Sequence, residues 1–335
     1  MRRPRVGFLG VGWIGRHRMQ ALIESTLTEP VAICEPDDTA AAAAMELAPA
    51  AVRTVDLEAL LQQDLDGLVI ATPSALHAGQ AIAALQAGCA VFCQKPIGRT
   101  AFEVSDVLMA ARQSNRLLAV DLSYRFTEAM RQVRNSVQSG ALGRIFAVDL
   151  VFHNAYGPDK AWFRDPILSG GGCVMDLGVH LIDLAQWTLG FEDIRSVTAS
   201  LFAAGVLLST KPSEVEDYCV ATLETVSGVV IRVACSWNLP AGRDAIIGAS
   251  FYGTQGTSVM QNIDGSFFDF AAERTQGSNH RVSIAVPPDQ WGGRAILHWA
   301  NELICNPGFN STADQLLAVA TVIDRIYGRS PPTSS

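Results

Sequence analysis

Hydrophobic and polar positions follow two different rhythms along the chain. As far as residue 120 the apolar residues come in short unbroken runs, at 6–9, 31–34, 67–71, 90–93 and 117–120. The stretches between them, 16–25, 39–47, 57–62, 78–87 and 101–114, carry helical composition. Unbroken apolar strands are those buried on both faces, so this alternation predicts an α/β domain with a doubly wound parallel sheet. Further on, 127–139 reads as helix, 145–153 as an alternating strand, 154–168 as a polar, aromatic connection, and the following helix runs to about residue 189. Strand patterns then dominate, over 194–203, 217–225, 229–236, 245–252, 257–261 and 281–285, with turns at Gly228 and 253–256, before helices return at 296–304 and 312–327. Neighbouring strands joined by short turns predict a C-terminal α+β domain whose large sheet is mostly antiparallel and carries helices on one face. Its other face also needs cover, which pairing with a second copy, as a homodimer or homotetramer, would supply. The expected division is 1–122 and 123–305, with the helix of 312–328 packing back on the first domain; only the tail 330–335 reads as low complexity.

A length of 335 residues suits two domains, and 49% hydrophobic against 17% charged residues describes a globular chain with a large interior. No uncharged apolar run approaches the roughly 18 residues of a membrane span, so no membrane partner is expected. A net charge of −8 argues against a nucleic-acid surface. Seven scattered cysteines without a Cys-x-x-Cys suggest neither a disulfide framework nor a zinc site, and a reducing cytoplasm fits them best. Arg2 and Arg3 have the look of a twin-arginine signal, but no apolar region with a cleavage site follows, so they read as a solvated terminus.

Val6-Gly7-Phe8-Leu9 leads into Gly10-Val11-Gly12-Trp13-Ile14-Gly15 and then a helix. Between strand and helix, this is the setting that raises a bare G-x-G-x-x-G to a dinucleotide-binding, Rossmann-type signal. Gly10 permits the turn, Gly12 lets backbone approach a pyrophosphate, and Gly15 allows close packing of helix on strand. Glu35 ends the next strand twenty residues beyond Gly15, the spacing of an acid on the adenosine ribose. That carboxylate would repel a 2′-phosphate, and Pro36-Asp37-Asp38 offers no arginine, so NAD is expected over NADP. Thr72-Pro73 and Gln94-Lys95-Pro96 end two further strands, where ligands of open parallel sheets gather. His77 touches cofactor or caps its helix.

In the second half, Gly170-Gly171-Gly172 precedes Asp176, His180 and Asp183, at spacings of four and three that stack them on one helical face. Acid, imidazole and acid on an otherwise apolar helix are costly unless paired or used. By themselves they suggest either proton handling or a metal site.

These residues together, with Trp162-Phe163-Arg164-Asp165-Pro166, resemble the glucose-fructose oxidoreductase/inositol dehydrogenase (Gfo/Idh/MocA) family, in order over nearly the whole chain. The resemblance implies a Rossmann domain, a C-terminal α/β domain, and hydride exchange between a nicotinamide cofactor and a sugar, polyol or related hydroxyl compound. By position it makes Lys95, Asp176 and His180 catalytic. Cofactor contacts fall on Gly10, Gly12, Trp13, Ile14, Gly15, Glu35, Thr72, Pro73, His77, Gln94 and Lys95. One departure stands out: the family usually has Glu-Lys-Pro, and Gln94 removes a negative charge beside Lys95.

On this reading His180, titrating near neutrality, takes the hydroxyl proton. Lys95 stabilises the charge developing on oxygen, and Asp176 orients substrate or imidazole. Asp183 is expected as a buried partner behind them. Tyr124, Arg125, Phe126, His153, Trp162, Arg164 and Trp237 are pocket candidates for a small sugar-like or polyol-like substrate, with Arg125 and Arg164 either reading a carboxylate or pairing with an acid. No bound metal is expected. The competing readings are a non-catalytic cofactor-binding sensor or regulator on the same fold, and a metal-dependent hydrolase or lyase using Asp176, His180 and Asp183.

Overall fold

The computed structural model describes residues 2–209, 214–277 and 279–329, so the tail at 330–335 lies outside the described residues. Contacts divide the chain into two units. The first runs to Ser123 and takes back Gly292–Leu316; the second holds Tyr124–Trp291 and the chain from Leu317 onward.

In the first unit, β1 (Arg5–Leu9), β2 (Glu29–Cys34), β3 (Val52–Thr54), β4 (Gly67–Ile70), β5 (Ala90–Cys93) and β6 (Leu118–Val120) form a parallel sheet in the order β3-β2-β1-β4-β5-β6. Order reverses between β1 and β4, which opens a crevice at their carboxyl ends. The unbroken runs are strands buried throughout, as in β4 and β5. Helices α1 (Trp13–Ser25), α2 (Asp38–Leu47), α3 (Leu57–Leu61), α4 (Ser74–Gln86) and α5 (Ala101–Ser114) connect them. Side-chain oxygens of Asp37, Asp56 and Thr100 cap α2, α3 and α5 by accepting from the amides of Ala40, Ala59 and Glu103.

The second unit begins with α6 (Glu128–Gln138), capped by Thr127, and β7 (Ile145–Asn154). A short helix α7 (Pro166–Ser169), a π turn (Val174–Gly178) and α8 (Val179–Leu189) follow. Then come β8 (Ile194–Ala203), β9 (Val206–Leu207), β10 (Tyr218–Thr225), β11 (Val230–Ser236), β12 (Ala245–Gly253), β13 (Gly256–Asn262), β14 (Phe270–Gln276) and β15 (His280–Ala285). The nine strands run β15-β14-β13-β12-β7-β11-β10-β8-β9, antiparallel except for the β7–β11 pair. Alternation puts Cys219, Ala221 and Leu223 of β10 and Ile231, Val233 and Cys235 of β11 into a core shared with α6 and α8. The stretch Pro166–Leu189 is apolar and long enough to cross a membrane, yet 83% of its most apolar window is buried inside the protein, as expected of a core helix.

The C-terminal helices divide differently from the expected packing of 312–328 on the first domain. It is α9 (Arg294–Cys305) that returns to the first unit, where Trp299 is fully buried with its ring 5.8 Å from Phe92. A Cβ on Gly67 would stand 2.8 Å from that indole, so the strand needs glycine there. α10 (Gln315–Ile326) instead places Val319, Val322, Ile323 and Ile326 in the core of the second unit. Its Arg325 donates to the carbonyls of Ile194 and Arg195 at 2.5 and 2.9 Å. The second unit therefore ends at Trp291 rather than near residue 305 before α10 rejoins it. Three strands escape the pattern: β3 is three residues long with two of them exposed, β9 is two residues long with both exposed, and β14 follows Phe270-Ala271-Ala272 with an unbroken polar run, Glu273 to Gln276.

Candidate active site

In the first unit the glycine loop is shaped by three separate constraints. Gly10 has φ +82°, and a Cβ there would stand 2.7 Å from the Ala71 carbonyl oxygen at the end of β4. A Cβ on Gly15 would collide with the Gly10 carbonyl. A Cβ on Gly12 would meet nothing within 4 Å, so no neighbouring protein atom demands glycine there. Gly12 caps α1 without a side-chain hydrogen bond, and the first turn holds no acid. The amides of that turn thus face outward with the positive end of the helix dipole behind them. Trp13 is 62% exposed beside them, its ring 4.6 Å from His17.

Glu35 reaches this loop directly: Oε2 accepts from the Val11 amide at 2.8 Å and Oε1 from the Asp37 amide at 3.0 Å. Each carboxylate oxygen retains a lone pair for a sugar hydroxyl. An arginine does stand nearby, supplied by β3: Arg53 donates to the Glu35 carbonyl at 3.0 Å and pairs with Asp38 at 2.7 Å. The residues following Glu35 could not reveal it.

His77 differs from its expected place among cofactor contacts. It is buried in the first turn of α4, with Nδ1 2.7 Å from the Pro96 carbonyl oxygen and Nε2 2.6 Å from that of Thr72. Both ring nitrogens face backbone carbonyls, and the neutral ring donates to one of them, so the ring lies between the turn after β4 and the turn after β5, which carries Lys95. Burial holds the imidazole pKa below its ordinary value, against the two carbonyls. Thr72 Oγ1 donates to Gln80 at 2.5 Å, and Pro73 is the N-cap of α4.

In the second unit the glycines before Asp176 answer to close neighbours. A Cβ on Gly171 would collide with the Tyr327 hydroxyl, and one on Gly172 with the Glu216 carbonyl. Glu216 is 1% exposed and caps the turn, accepting from the amides of Gly172 at 3.0 Å and Val174 at 2.9 Å and from the Tyr327 hydroxyl at 2.8 Å. Burial pushes its carboxyl up from the usual range, and those hydrogen bonds pull it back. Nothing local in the sequence singles out Glu216 or Tyr327, apart from the acid pair Glu216-Asp217 just before a strand.

The expected stacking of Asp176, His180 and Asp183 on one face is altered by the π turn, in which the Val179 amide donates to the Val174 carbonyl. A wider turn shifts the helical phase, and spacing rules for a regular helix do not carry across it. Asp176, half-buried, accepts from the Trp237 indole Nε1 at 3.0 Å. His180 is buried on the first turn of α8, its ring 4.8 Å from Tyr124 and edge-on to it. Burial and the Asp176 charge raise the Tyr124 phenol well above its ordinary value.

Asp183 and Arg125 find each other instead of a ligand. Arg125 Nε and Nη2 donate to the two carboxylate oxygens at 2.8 and 2.5 Å, and its guanidinium lies over the rings of Trp187 and Phe191. Of the two sequence readings of Arg125, pairing with an acid is the one realised, which withdraws it from the substrate candidates. Burial raises the Asp183 carboxyl and Arg125 opposes the rise. Among the described residues no group of three His, Cys, Asp or Glu side chains is arranged to hold a metal ion.

The remaining candidates scatter around the same end of the sheet. His153 accepts or donates through Nδ1 to Ser236 Oγ at 2.7 Å, stacks on Tyr218, and is held below its ordinary pKa by burial. Trp162 stacks on Phe163, whose ring is edge-on to Trp237. Arg164 is exposed, with its guanidinium against Gly157.

Residues 4–122 match the family described as "Oxidoreductase family, NAD-binding Rossmann fold", and residues 130–259 match "GFO/IDH/MocA C-terminal domain". An inositol 2-dehydrogenase of Rhizobium meliloti (strain 1021) is 30% identical over 295 residues, covering 88% of this chain and 82% of the relative. The chain belongs to the Gfo/Idh/MocA family. A second Gfo/Idh/MocA-type relative, a D-glucoside 3-dehydrogenase of Escherichia coli (strain K12), is 29% identical over 269 residues, 76% of each chain. A solved levoglucosan dehydrogenase, in complex with NADH and levoglucosan, shares the fold at a TM-score of 0.82 and 23% identity, covering 98% of this chain and 97% of that one. This member of the family is accordingly an NAD(P)-dependent oxidoreductase with an NAD-binding Rossmann domain. The loop fits that cofactor: the space beside Gly12 is open, α1 begins there without an acid in its first turn, and the Glu35 carboxylate is held against the loop by the Val11 amide.

Proposed function

We propose that this protein transfers a hydride between NAD and a secondary alcohol of a sugar, inositol or related polyol, in the cytoplasm. The observation that carries the proposal is the pair of Asp176, held by the Trp237 indole, and the buried imidazole of His180, on one helix behind a turn fixed by Glu216. When bound, the nicotinamide accepts hydride from the carbinol carbon. His180 accepts the proton that the hydroxyl must lose as the carbonyl forms. Lys95, after β5, supplies the cation that stabilises negative charge developing on oxygen in this chemistry. Asp176 orients the substrate, and Tyr124, His153, Trp162 and Arg164 complete its surroundings. Asp183 and Arg125 stand behind as a structural pair.

NAD rather than NADP follows from the Glu35 carboxylate at the ribose position, with Arg53 engaged by Asp38. A polyol substrate is supported by relatives named inositol 2-dehydrogenase and D-glucoside 3-dehydrogenase. Seven free thiols, six of them buried, suit a reducing compartment. The outward-facing Val220 and Val230 of β10 and β11 suit a homodimer or homotetramer joined through the sheet, which light scattering after gel filtration would measure.

The test is a screen of sugars, inositols, sugar acids and dihydrodiols with NAD, followed by NADH absorbance. Turnover is expected with at least one polyol, is lost in His180→Ala, and NAD binds more tightly than NADP. Unchanged turnover and pH profile in His180→Ala, with both abolished by Lys95→Ala, would move the base to the lysine. Tighter binding of NADP would defeat the Glu35 argument.

A further inference from the structure

Four buried polar side chains close on one another at the carboxyl ends of β5 and β6: Gln94, Asp121, Arg18 and Ser123, none more than 9% exposed. Backbone bonds set the pair before the side chains meet, since the Gln94 amide donates to Ile70 at 2.8 Å and the Asp121 amide to Cys93 at 2.9 Å. The Gln94 side-chain amide then donates to Asp121 Oδ2. Arg18 Nε donates to the same oxygen at 2.6 Å, and Ser123 Oγ donates to Oδ1 while accepting from Arg18 Nη2 at 3.1 Å. The cluster holds one carboxylate and one guanidinium, and the residue after Gln94 is Lys95.

The Glu usual in the family at position 94 would not fit this cluster. Its carboxylate would face Asp121 over a single Arg18, in a site almost without water. Two carboxylates in contact cannot both ionise, so one would be driven to hold a proton. An amide of the same shape removes the conflict and adds the N–H that a carboxylate lacks. We propose that Asp121 carries, one strand over, the negative charge that position 94 usually supplies, and that Gln94 and Asp121 together are positioning residues for Lys95. This rests on the reading of Lys95 as part of the NAD-dependent site. Arg18 on α1 neutralises the relocated charge, so the helix that begins at the glycine loop and the strand that ends at Lys95 are held by one carboxylate.

The experiment is a four-member cycle of the full-length protein: wild type, Gln94→Glu, Asp121→Asn, and the double variant that moves the charge back. Each is measured for its urea midpoint at pH 5 and pH 8 and for NADH affinity by fluorescence. The charged or titratable neighbours of the pair are Arg18, Lys95 and the Cys93 thiol, which burial and Asp121 hold well above its ordinary value. Beyond Lys95 lies His77. In Gln94→Glu one carboxylate gains a folded-state pKa above its unfolded one, so its stability is present at low pH and lost as pH rises. The midpoint deficit of that variant is therefore expected to be larger at pH 8 than at pH 5. Each single variant is expected to weaken NADH binding about tenfold and the double to recover most of it, a coupling within the range for one hydrogen-bonded network.

Additive losses in the double variant, or a Gln94→Glu deficit equal at the two pH values, would overturn the matched pair. A lowered midpoint with unchanged NADH affinity in Asp121→Asn would overturn the positioning role. Failure of the wild type to bind NADH would count against the cofactor reading itself. The urea cycle uses no cofactor and reports on the pair separately.

Discussion

Replacing Arg125 by leucine is expected to expose how much of the second unit depends on neutralising Asp183. The carboxylate is 1% exposed and receives two short hydrogen bonds from the guanidinium. Removing one member of a buried pair strands the other charge and costs about 3–5 kcal/mol. Loss of the cation over Trp187 and Phe191, at 5.8 and 5.5 Å, adds about 0.5–1 kcal/mol for each ring, partly returned by leucine contacts. A destabilisation of about 4 kcal/mol is therefore expected in urea unfolding at pH 8. The sign of its pH dependence follows from the shift already present: burial raises the Asp183 pKa and Arg125 restrains it, so the variant raises it further. A raised carboxylate contributes stability that is complete below its unfolded value and lost as pH climbs through the folded value. The deficit should thus shrink as pH is lowered from 8 towards 5. The double variant Arg125→Leu/Asp183→Leu should recover most of the loss, because both charges leave together. A deficit under about 1 kcal/mol with a raised KM would refute the reasoning and return Arg125 to the substrate.

Two further outcomes test the loop and the carboxylate. Gly12→Ala should leave the unfolding midpoint within the scatter of surface changes while weakening NADH binding at least about tenfold, because its Cβ meets no protein atom. Gly15→Ala should instead lower the free energy of unfolding by about 1–3 kcal/mol, because its Cβ strikes the Gly10 carbonyl; calorimetric titration and urea unfolding separate the two cases. Trp237→Phe keeps most of the ring but removes the donor to Asp176, so kcat/KM on the best polyol should fall about tenfold with NADH affinity unchanged. An unchanged kcat/KM would mean that the indole hydrogen bond does not prepare Asp176 for the reaction.

What the sequence revealed and what it hid divide along a physical line. Local rules sufficed for the glycine loop, because strand, turn and helix there are consecutive, although the Ala71 carbonyl that confines Gly10 comes from β4. They sufficed as well for most of the antiparallel sheet, where alternation and glycine turns are properties of adjacent residues, but not for β9 and β14. They failed where a side chain's partner comes from far along the chain. Asp183 is matched by Arg125 and Asp176 by Trp237, across 58 and 61 residues, and no periodicity announces either. Helical spacing gave no sign of the π turn at Val174–Gly178, which lies between acid and imidazole. The destination of the last two helices was hidden for a related reason: α9 and α10 are both amphipathic, and only Trp299 against Gly67, or Tyr327 against Glu216, decides which sheet each one covers.

Because Trp299 fills the floor of the first sheet and Tyr327 closes the turn before Asp176, neither unit is made of one continuous length of chain. A ribosome that has delivered residues 5–120 has produced six strands whose apolar underside still waits for a helix about 170 residues away. The second unit likewise lacks the hydroxyl that completes the Glu216 cap until Tyr327 emerges. Synthesis in order therefore cannot complete the two units one after the other. The cofactor loop can take shape early, but its supporting layer and the substrate-side turn reach their final form almost together, once the chain has passed Tyr327.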